Sequence, residues 1–546
     1  MTADAIRFYY LENFRRALDW LCERYPDLLA SDERAFAATF SALPRESSAL
    51  LVRMISRRGS LFRRTRLKYE EIGCVRRSVA PLVEAGMVDA APTPDWAQLG
   101  RLATKPELLG AFELPVAWRR ARKEPLLAHL QAGHDCVHAL ARWLQFTDET
   151  LYRLLVAPLC ERLRLMFFGN FHQDWSEFVL ADLGIHRYEP VAADQRSRAF
   201  QRREEIDQFV ALYRCRELLH EQAGPETILA ALPPPLPECP WIETHRVRMQ
   251  LRIAQLFEKA QQPARALDIY LACEEPRSRI RAVRILEKLE RCSEAWQLLA
   301  AFAPQCTDEQ VLQEAARIRP RLSRRLGHIV SSLRKQAGWS TFELQLPRGD
   351  DAVEELVARH LGTPLAPMLF VENTLLNSLL GLLCWDALFA PLPGAFFHEF
   401  HAAPADLLAA DFCSRRAQQF TACLGRLESA DYRARILETS QAKVGRTCAF
   451  VAWGALTPQL LTLALECIPA AHLRAIFERI LANVGVNRSG LPDLIQFFPA
   501  ERRYRLIEVK APGDRLQSNQ IRWLDYLVAN AIDVSVCKVT WSAAAS

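Results

Sequence analysis

The stretch that decides the fold is 490-GLPDLIQFFPAERRYRLIEVKAPGDRLQSNQIRWL-524. Two apolar runs within it, LPDLIQFF and YRLIEVKA, read as strands. SNQIRWLDYLVANA, which begins at Ser518, reads as a helix with a polar face, and VSVCKVTW from Val534 as a further strand. The order strand, strand, helix, strand predicts a small mixed sheet with a crossover helix.

Side chains alternate along a strand, so Leu506, Glu508 and Lys510 share one face while Ile507 and Val509 take the other. Asp493 stands at the start of the neighbouring strand, with fourteen residues between it and Glu508. If the two strands pair, the two carboxylates converge. Carboxylates close together in a dry site repel each other, and a divalent cation removes that cost. Hard oxygen ligands favour magnesium or manganese. Such an ion activates water and stabilises charge on a phosphate. Lys510 suits orienting the water or balancing negative charge in the transition state. These are the parts of a phosphodiesterase. The plainer alternative makes Asp493 a turn cap and Glu508–Lys510 a solvated edge pair, and on three residues alone it is preferred. The strand–strand–helix–strand context reverses that preference, because it predicts the geometry the chemistry needs.

The chain around this stretch has 546 residues, more than one domain holds. Half of them are hydrophobic and 24% are charged, as in a globular, soluble protein. The net charge is only +5, so any basic surface must be local. Fifteen cysteines without a Cys-x-x-Cys argue against a disulfide framework or a ribbon-type zinc site, and for reduced thiols in a cytoplasmic protein, nucleoid-associated if bacterial. The opening MTADAIRFYYLENFRRALDW lacks the apolar core of a signal peptide, so secretion is not expected. TLLNSLLGLLCWDALF and FVAWGALTPQLLTLALECIP read as buried helices rather than membrane spans.

Residues 1–50 read as an amphipathic helical region. Residues 51–92 combine a short strand, a basic loop, two helices and a glycine turn, in the manner of a winged-helix-like DNA-binding module. In 93–150 two amphipathic helices flank a basic stretch, as in SAP-type hairpins. Residues 151–239 form a helical linking region that ends on the proline-rich ALPPPLPECP. In 240–345 a repeat appears: RIAQLFEKAQQPARAL from Arg252 matches RAVRILEKLERCSEAW from Arg281, a period of 29 residues, near the tetratricopeptide length. Ala266 falls over Ala295, where small residues let helices approach. Residues 350–546 form the C-terminal domain, helical to Val484 with strands only from about Leu491. The expected fold is thus mainly α and multidomain, with a C-terminal α/β domain.

Basic residues cluster between Arg53 and Lys68: Arg53, Arg57, Arg58, Arg63, Arg64, Arg66 and Lys68 come without an acid, and Tyr69 follows. Against a nearly neutral chain they suit phosphates, and Leu61 and Phe62 would anchor them to a folded module. Arg119, Arg120, Arg122 and Lys123 form a second patch, evenly balanced between DNA contact and surface loop. Arg317, Arg319, Arg321, Arg324 and Arg325 read as a solvated face. FFHEFH brings His398, Glu399 and His401 together without the spacing of a zinc protease, and reads as a loop with buried or surface histidines. Trp385 and Asp386 are expected to pack and cap. No Walker loop and no Rossmann glycine pattern occurs.

GLPDLIQF, LIEVKAPGDRLQSNQIRWLDYL and VSVCKV resemble the virus-type replication-repair nuclease (VRR-NUC) domain of the PD-(D/E)xK superfamily, a restriction-endonuclease-like fold. With VRMISRRGSLFRRTRLKYEEI, VEELVARH and ENTLLNSLLGLLCWDALF, the chain resembles the Fanconi-associated nuclease family, over most of its length from about residue 50. The resemblance implies Asp493 and Glu508 as metal ligands and Lys510 as the catalytic lysine. It further implies Glu372 as an upstream acid supplied from a helix, the Val509 carbonyl as another ligand, and Gln520 near the site. It implies Mg or Mn as cofactor, structured DNA as partner, cleavage near a 5′ flap, 5′-to-3′ digestion and a part in interstrand crosslink repair. The Cys/His spacing of the ubiquitin-binding zinc finger of eukaryotic members is not found here, so no ubiquitin-linked partner is carried over, and the shortness of the chain suggests a bacterial-type member. A restriction- or resolvase-like endonuclease and a catalytically inactive DNA-binding scaffold stand as alternatives.

Overall fold

The computed structural model of the chain describes residues 7–182, 184–191, 198–327 and 338–542; the remaining parts of the 1–50, 151–239 and 240–345 segments and of the C-terminus lie outside the described residues. Two compact units divide the chain: Met1–His186 with Arg198–Val210, and Arg187–Ser197 with Ala211–Ser546.

In the first unit the helices Tyr9–Arg24, Ser31–Ala42 and Arg45–Ile55 precede a small sheet. Its strands are β1 (Leu61–Arg63), β2 (Val88–Asp89) and β3 (Leu151–Leu154), with β3 central and antiparallel to both neighbours. This corrects the reading of 51–92 in three ways. LVRMI is the end of a helix, because Leu51, Val52 and Met54 bury themselves in its packing. A single α-helix, Val75–Glu84, lies between β1 and β2. The central strand comes from beyond residue 150. Residues 93–150 hold four short helices rather than two: Trp96–Leu102, Lys105–Ala111, Lys123–Gly133 and Cys136–Thr147. They enclose Leu99, Leu108, Leu126, Leu130, Leu140 and Trp143. Three of the four open on a side-chain cap, Asp95, Thr104 or Asp135, which satisfies N–H groups the helix leaves free.

In the second unit the helices Pro225–Ala231, Pro240–Lys259, Pro263–Leu271, Pro276–Lys288, Cys292–Phe302 and Glu309–Leu326 follow one another around one core, which also takes in Cys215. The equivalent positions Phe257 and Leu286 are both buried, as are Ala266 and Ala295. In the proline-rich segment before them, Leu236 and Cys239 are tucked inside.

A five-stranded sheet follows, in the order β4-β8-β7-β6-β5. Its strands are β4 (Ser340–Leu346), β5 (Met368–Phe370), β6 (Leu494–Phe498), β7 (Arg503–Lys510) and β8 (Val534–Trp541). The last three and the helix Ser518–Ala529 match the opening stretch. β4 and β5 precede residue 491, where the sequence reading has only helices; they are the two edges of the sheet. β6 pairs antiparallel with β7, and β7 parallel with β8, so the helix Ser518–Ala529 makes the crossover that a parallel pair requires. Alternation divides the strands between two cores. Leu494, Ile507, Val509, Cys537 and Val539 face one side with Met368 and with Val357 of the helix Val353–Leu361. Ile495, Phe497, Tyr504, Leu506, Val534 and Val536 face the other, against a large helical layer. All nine residues of the helix Leu375–Leu383 in that layer are buried, which explains why its sequence is apolar on every face apart from Asn377 and Ser378.

Among the described residues no single helix is long and apolar enough to cross a membrane. Pro458–Cys467 and Ala470–Ala482 are apolar together, but they bend by 109° at their junction and pack into the core.

Candidate active site

Glu508 and Lys510 continue the row that Tyr504 and Leu506 begin on β7, and Asp493 continues the row of Ile495 and Phe497 on β6. The register pairs Leu494 with Ile507, so one step further Asp493 stands opposite Glu508 at the end of both strands. The Val509 N–H donates to Asp493 Oδ2 at 2.8 Å, which fixes that carboxylate across the strand gap. Lys510 Nζ lies 2.6 Å from Glu508 Oε1. Glu508 is fully buried and Asp493 nearly so. Among the described residues the Lys510 ammonium is the close partner of Glu508 Oε1, while Oε2 has no hydrogen-bond partner. Burial pushes both carboxyl groups well above the ordinary carboxylate range, and the charge of Glu372 raises both further; Asp493 also raises Glu508, while Lys510 opposes the rise in both.

Glu372 is not on a helix, as the resemblance implied. It lies in the exposed turn between β5 and the helix Leu375–Leu383. Hydrogen bonds bring that turn to the site: the Val371 N–H donates to the Asp493 carbonyl at 2.8 Å, and Asn373 Nδ2 donates to Glu372 Oε1 at 3.0 Å. Asn373 Oδ1 accepts the Leu491 N–H, and Asn377 Nδ2 donates to the carbonyls of Asn373 and Arg488. Asn373 itself takes a left-handed conformation, with φ of 50°, which asparagine tolerates better than most residues. Sequence reasoning missed Asn373 and Asn377, and also Glu354 of the helix Val353–Leu361, whose charge reaches Asp493. Gly490 was missed too. Its φ is 87°, and a Cβ there would come within 2.7 Å of Asn519 Nδ2, at the start of the crossover helix. Gln520 accepts the Gln517 N–H at 2.8 Å and so caps that same helix.

Among the described residues, no three histidine, cysteine or acidic groups form a ready cage for an ion. The donors that do converge are nevertheless fit for one. They are carboxylate oxygens, the hard ligands that magnesium and manganese take. Glu508 Oε2, without a donor among the described residues, is the kind of buried polar atom that a bound cation compensates.

The basic residues of the first unit divide into two sets. Arg53 holds Glu71 at 2.7 Å and lies over the Tyr10 ring. Arg63 is more deeply committed, bridging Glu107 at 2.7 Å and the buried Glu149 at 2.9 Å over the face of Trp143. Arg64 donates to the Asp148 carbonyl. Arg57, Arg58, Arg66 and Lys68 are exposed, and Arg57 also donates to the Arg66 carbonyl. Tyr69 is half-buried beside Arg53 and Arg57. In the second patch Arg119, Arg120 and Arg122 are exposed and Lys123 is half-buried. Elsewhere, Arg321 pairs with Glu287 and Arg317 with the Ser518 hydroxyl. His398 and His401 are buried in a loop with their rings stacked 4.0 Å apart, accepting the N–H groups of Phe400 and Phe397. Trp385 packs in the core against Phe389, and Asp386 pairs with Arg435.

A sheet with paired carboxylates and a lysine at the ends of adjacent strands defines a restriction-endonuclease-like nuclease domain, set here at the end of a mainly helical chain. Comparison with known families agrees. Residues 427–541 match the VRR-NUC domain, residues 8–89 the HTH domain of FAN1, and residues 95–143 the Fanconi anemia-associated nuclease SAP domain. The Fanconi-associated nuclease 1 homolog of Pseudomonas aeruginosa is 48% identical over 98% of this chain and 96% of its own length. That of Arabidopsis thaliana is 23% identical over 97% of this chain and 67% of its own. A crystal structure of paFAN1 bound to 5′ flap DNA with a 2-nucleotide flap and a gap is similar with a TM-score of 0.93 and 46% identity, covering 98% of this chain and 99% of that one. The chain belongs to the Fanconi-associated nuclease family. Dependence on a divalent metal goes with its VRR-NUC domain.

Proposed function

We propose that the chain hydrolyses phosphodiester bonds in branched DNA near 5′ flaps, with Mg or Mn bound at Asp493, Glu508, the Val509 carbonyl and Glu372, and that it serves interstrand crosslink repair in the cytoplasm or nucleoid. The observation that carries this reading is Glu508, a fully buried carboxylate that has Lys510 at Oε1, no hydrogen-bond partner at Oε2 among the described residues, and a second buried acid opposite it. When bound, the ion supplies a more acidic water and neutralises charge on the phosphate. Asp493, held by the Val509 N–H, orients one ligand oxygen. Lys510, already 2.6 Å from Glu508, is placed to hold the attacking water or the developing negative charge. Gln520 acts through the crossover helix that it caps, as a positioning residue. Arg57, Arg58, Arg66, Lys68 and the 119–123 patch supply phosphate contacts that set orientation without reading bases. Tyr69 backs the first group, and Arg53, Arg63 and Arg64 hold the module that presents it. The flap preference is supported by the DNA in the similar paFAN1 structure.

Mapping the products of end-labelled 5′ flap DNA, in Mg, in Mn and in EDTA, tests this reading. A metal-dependent nick near the junction, followed by stepwise 5′-to-3′ shortening, is expected. Symmetric or sequence-specific cuts would instead favour a restriction- or resolvase-like enzyme, and tight binding without a cut in either metal an inactive scaffold.

A further inference from the structure

β8 carries a lysine that the site of Asp493, Glu508 and Lys510 does not use. Cross-strand partners in a sheet share a face, so the register fixes which side chains stand beside the site. Leu506 and Glu508 of β7 pair with Val534 and Val536 of β8, and Lys510 pairs with Lys538. Lys538 pairs in turn with Glu343 of β4. Phe342 and Leu344, like Cys537 and Val539, point to the smaller core with Val357. Lys538 and Glu343 therefore belong to the opposite face, in the row that Leu506, Val534 and Val536 begin and that holds Glu508. Counting Glu372 in the turn after β5, the charged side chains cross the strand ends in the order Glu372, Asp493, Glu508 with Lys510, Lys538 and Glu343.

The helical layer leaves this row open. Val534 and Val536 are buried against it, whereas Lys538 and Thr540, next along β8, are exposed, as are Thr341, Glu343 and Gln345 on β4. β8 is not an edge of the sheet, so a lysine there does not serve to block edge pairing. The two lysines also differ in their partners. Lys510 is half-buried and 2.6 Å from Glu508. Lys538 has no hydrogen bond or ion pair among the described residues, not even with Glu343 beside it in the register.

We propose that Lys538 is a substrate-binding residue whose ammonium donates to the DNA phosphate next to the one being cut; this rests on the metal-dependent cut proposed for Asp493 and Glu508. Neighbouring strands lie about 4.8 Å apart. A lysine one strand over, on a long flexible stem, thus reaches the phosphate that adjoins one held at Lys510. Lys510 is engaged by Glu508 and by the charge developing at the cut, which leaves the adjoining phosphate to Lys538. Glu343 repels phosphate and closes the position on its far side. An ammonium in this place grips the backbone without reading bases, as selection by DNA shape requires.

The test measures kcat/KM in manganese for the wild type, Lys538→Ala and Lys538→Arg. The substrates are end-labelled 5′ flaps, natural or with one neutral methylphosphonate in place of a phosphate near the junction. Lys538→Ala should cut the natural flap roughly 10- to 100-fold less efficiently, the loss that goes with one charge-assisted hydrogen bond. In the wild type a methylphosphonate beside the cut should produce a similar loss. In Lys538→Ala that same methylphosphonate should cost nothing more, while those at other positions harm both proteins equally. Lys538→Arg should keep most of the activity and the sensitivity at that one position. The rise in melting temperature on adding manganese should be the same in Lys538→Ala as in the wild type, which separates the contact from metal binding. The inference is overturned if the wild type cuts and Lys538→Ala cuts equally well, if every methylphosphonate harms both proteins alike, or if the variant loses the manganese-induced rise. A wild type that does not cut in manganese overturns the proposed function, and this contact with it.

Discussion

Asp493 and Glu508 are costly residues to bury. Burial raises both carboxyl groups, and a compact fold tolerates them because Lys510 and a cation can offset the charge. Replacing Asp493 by alanine is therefore expected to abolish cleavage while DNA binding stays intact or tightens. Manganese should raise the melting temperature of the wild type by mass action, and that rise should vanish in Asp493→Ala. An equal rise in both proteins would remove Asp493 from the metal site. Gly490→Ala meets two penalties, a positive φ and the Asn519 side chain. It should cost about 1–3 kcal/mol in a denaturant titration, the range for a strained backbone position. Asp493, Glu508 and Lys510 were legible in the sequence because period-two alternation is local. Glu372 was visible only through family resemblance, since its approach depends on a hydrogen-bonded turn and on pairing with a strand far along the chain. Asn373 gave no signal at all, because a left-handed asparagine looks like any other in a sequence.

At the scale of elements, the strands and helix of the opening stretch could be read directly, because each carries its own period. β5 spans three residues, too few to show a period; β4 does carry one, with Phe342, Leu344 and Leu346 alternating toward one core, so its strand was readable and was missed. LVRMIS misled because a short apolar run fits a strand or a buried helix equally well. The basic run misled in another way, since a sequence does not show which arginines have partners. Arg63 joins β1 to two acids of the neighbouring helices and loop, so Arg63→Ala leaves the buried Glu149 without its arginine. A loss of about 3–5 kcal/mol is expected in the unfolding of the first unit, the usual result of breaking a buried pair. The same ion pair sets a pH dependence. Burial pushes Glu107 up, but hydrogen bonds from Arg63 and the Thr104 N–H outweigh it and hold the carboxyl down to about 2, against an ordinary 4.5. A depressed carboxyl stabilises the fold fully above its unfolded value and loses that contribution as pH falls toward 2. The free energy of unfolding, measured from pH 5 downward, should thus fall more steeply in the wild type than in Glu107→Gln; parallel curves would show that Glu107 contributes nothing there.

For the whole molecule, a net charge of +5 leaves attraction to DNA to patches rather than to overall charge. Arg57 and Arg58 are exposed where Arg53 and Arg63 are engaged, so Arg57→Glu with Arg58→Glu should weaken flap binding and flatten its dependence on salt, by roughly one unit of log–log slope for each phosphate no longer neutralised. An unchanged slope would reject this patch as a phosphate-binding surface. The central claim is that the acids at the ends of β6 and β7 perform the cut. It is tested most directly by incubating an end-labelled 5′ flap with wild-type protein and with Asp493→Ala, in manganese and in EDTA, alongside a binding titration of both. A nick near the flap junction by the wild type in manganese alone, with binding kept in the variant, is the predicted result. Cleavage retained by Asp493→Ala, or cleavage in EDTA, would contradict it.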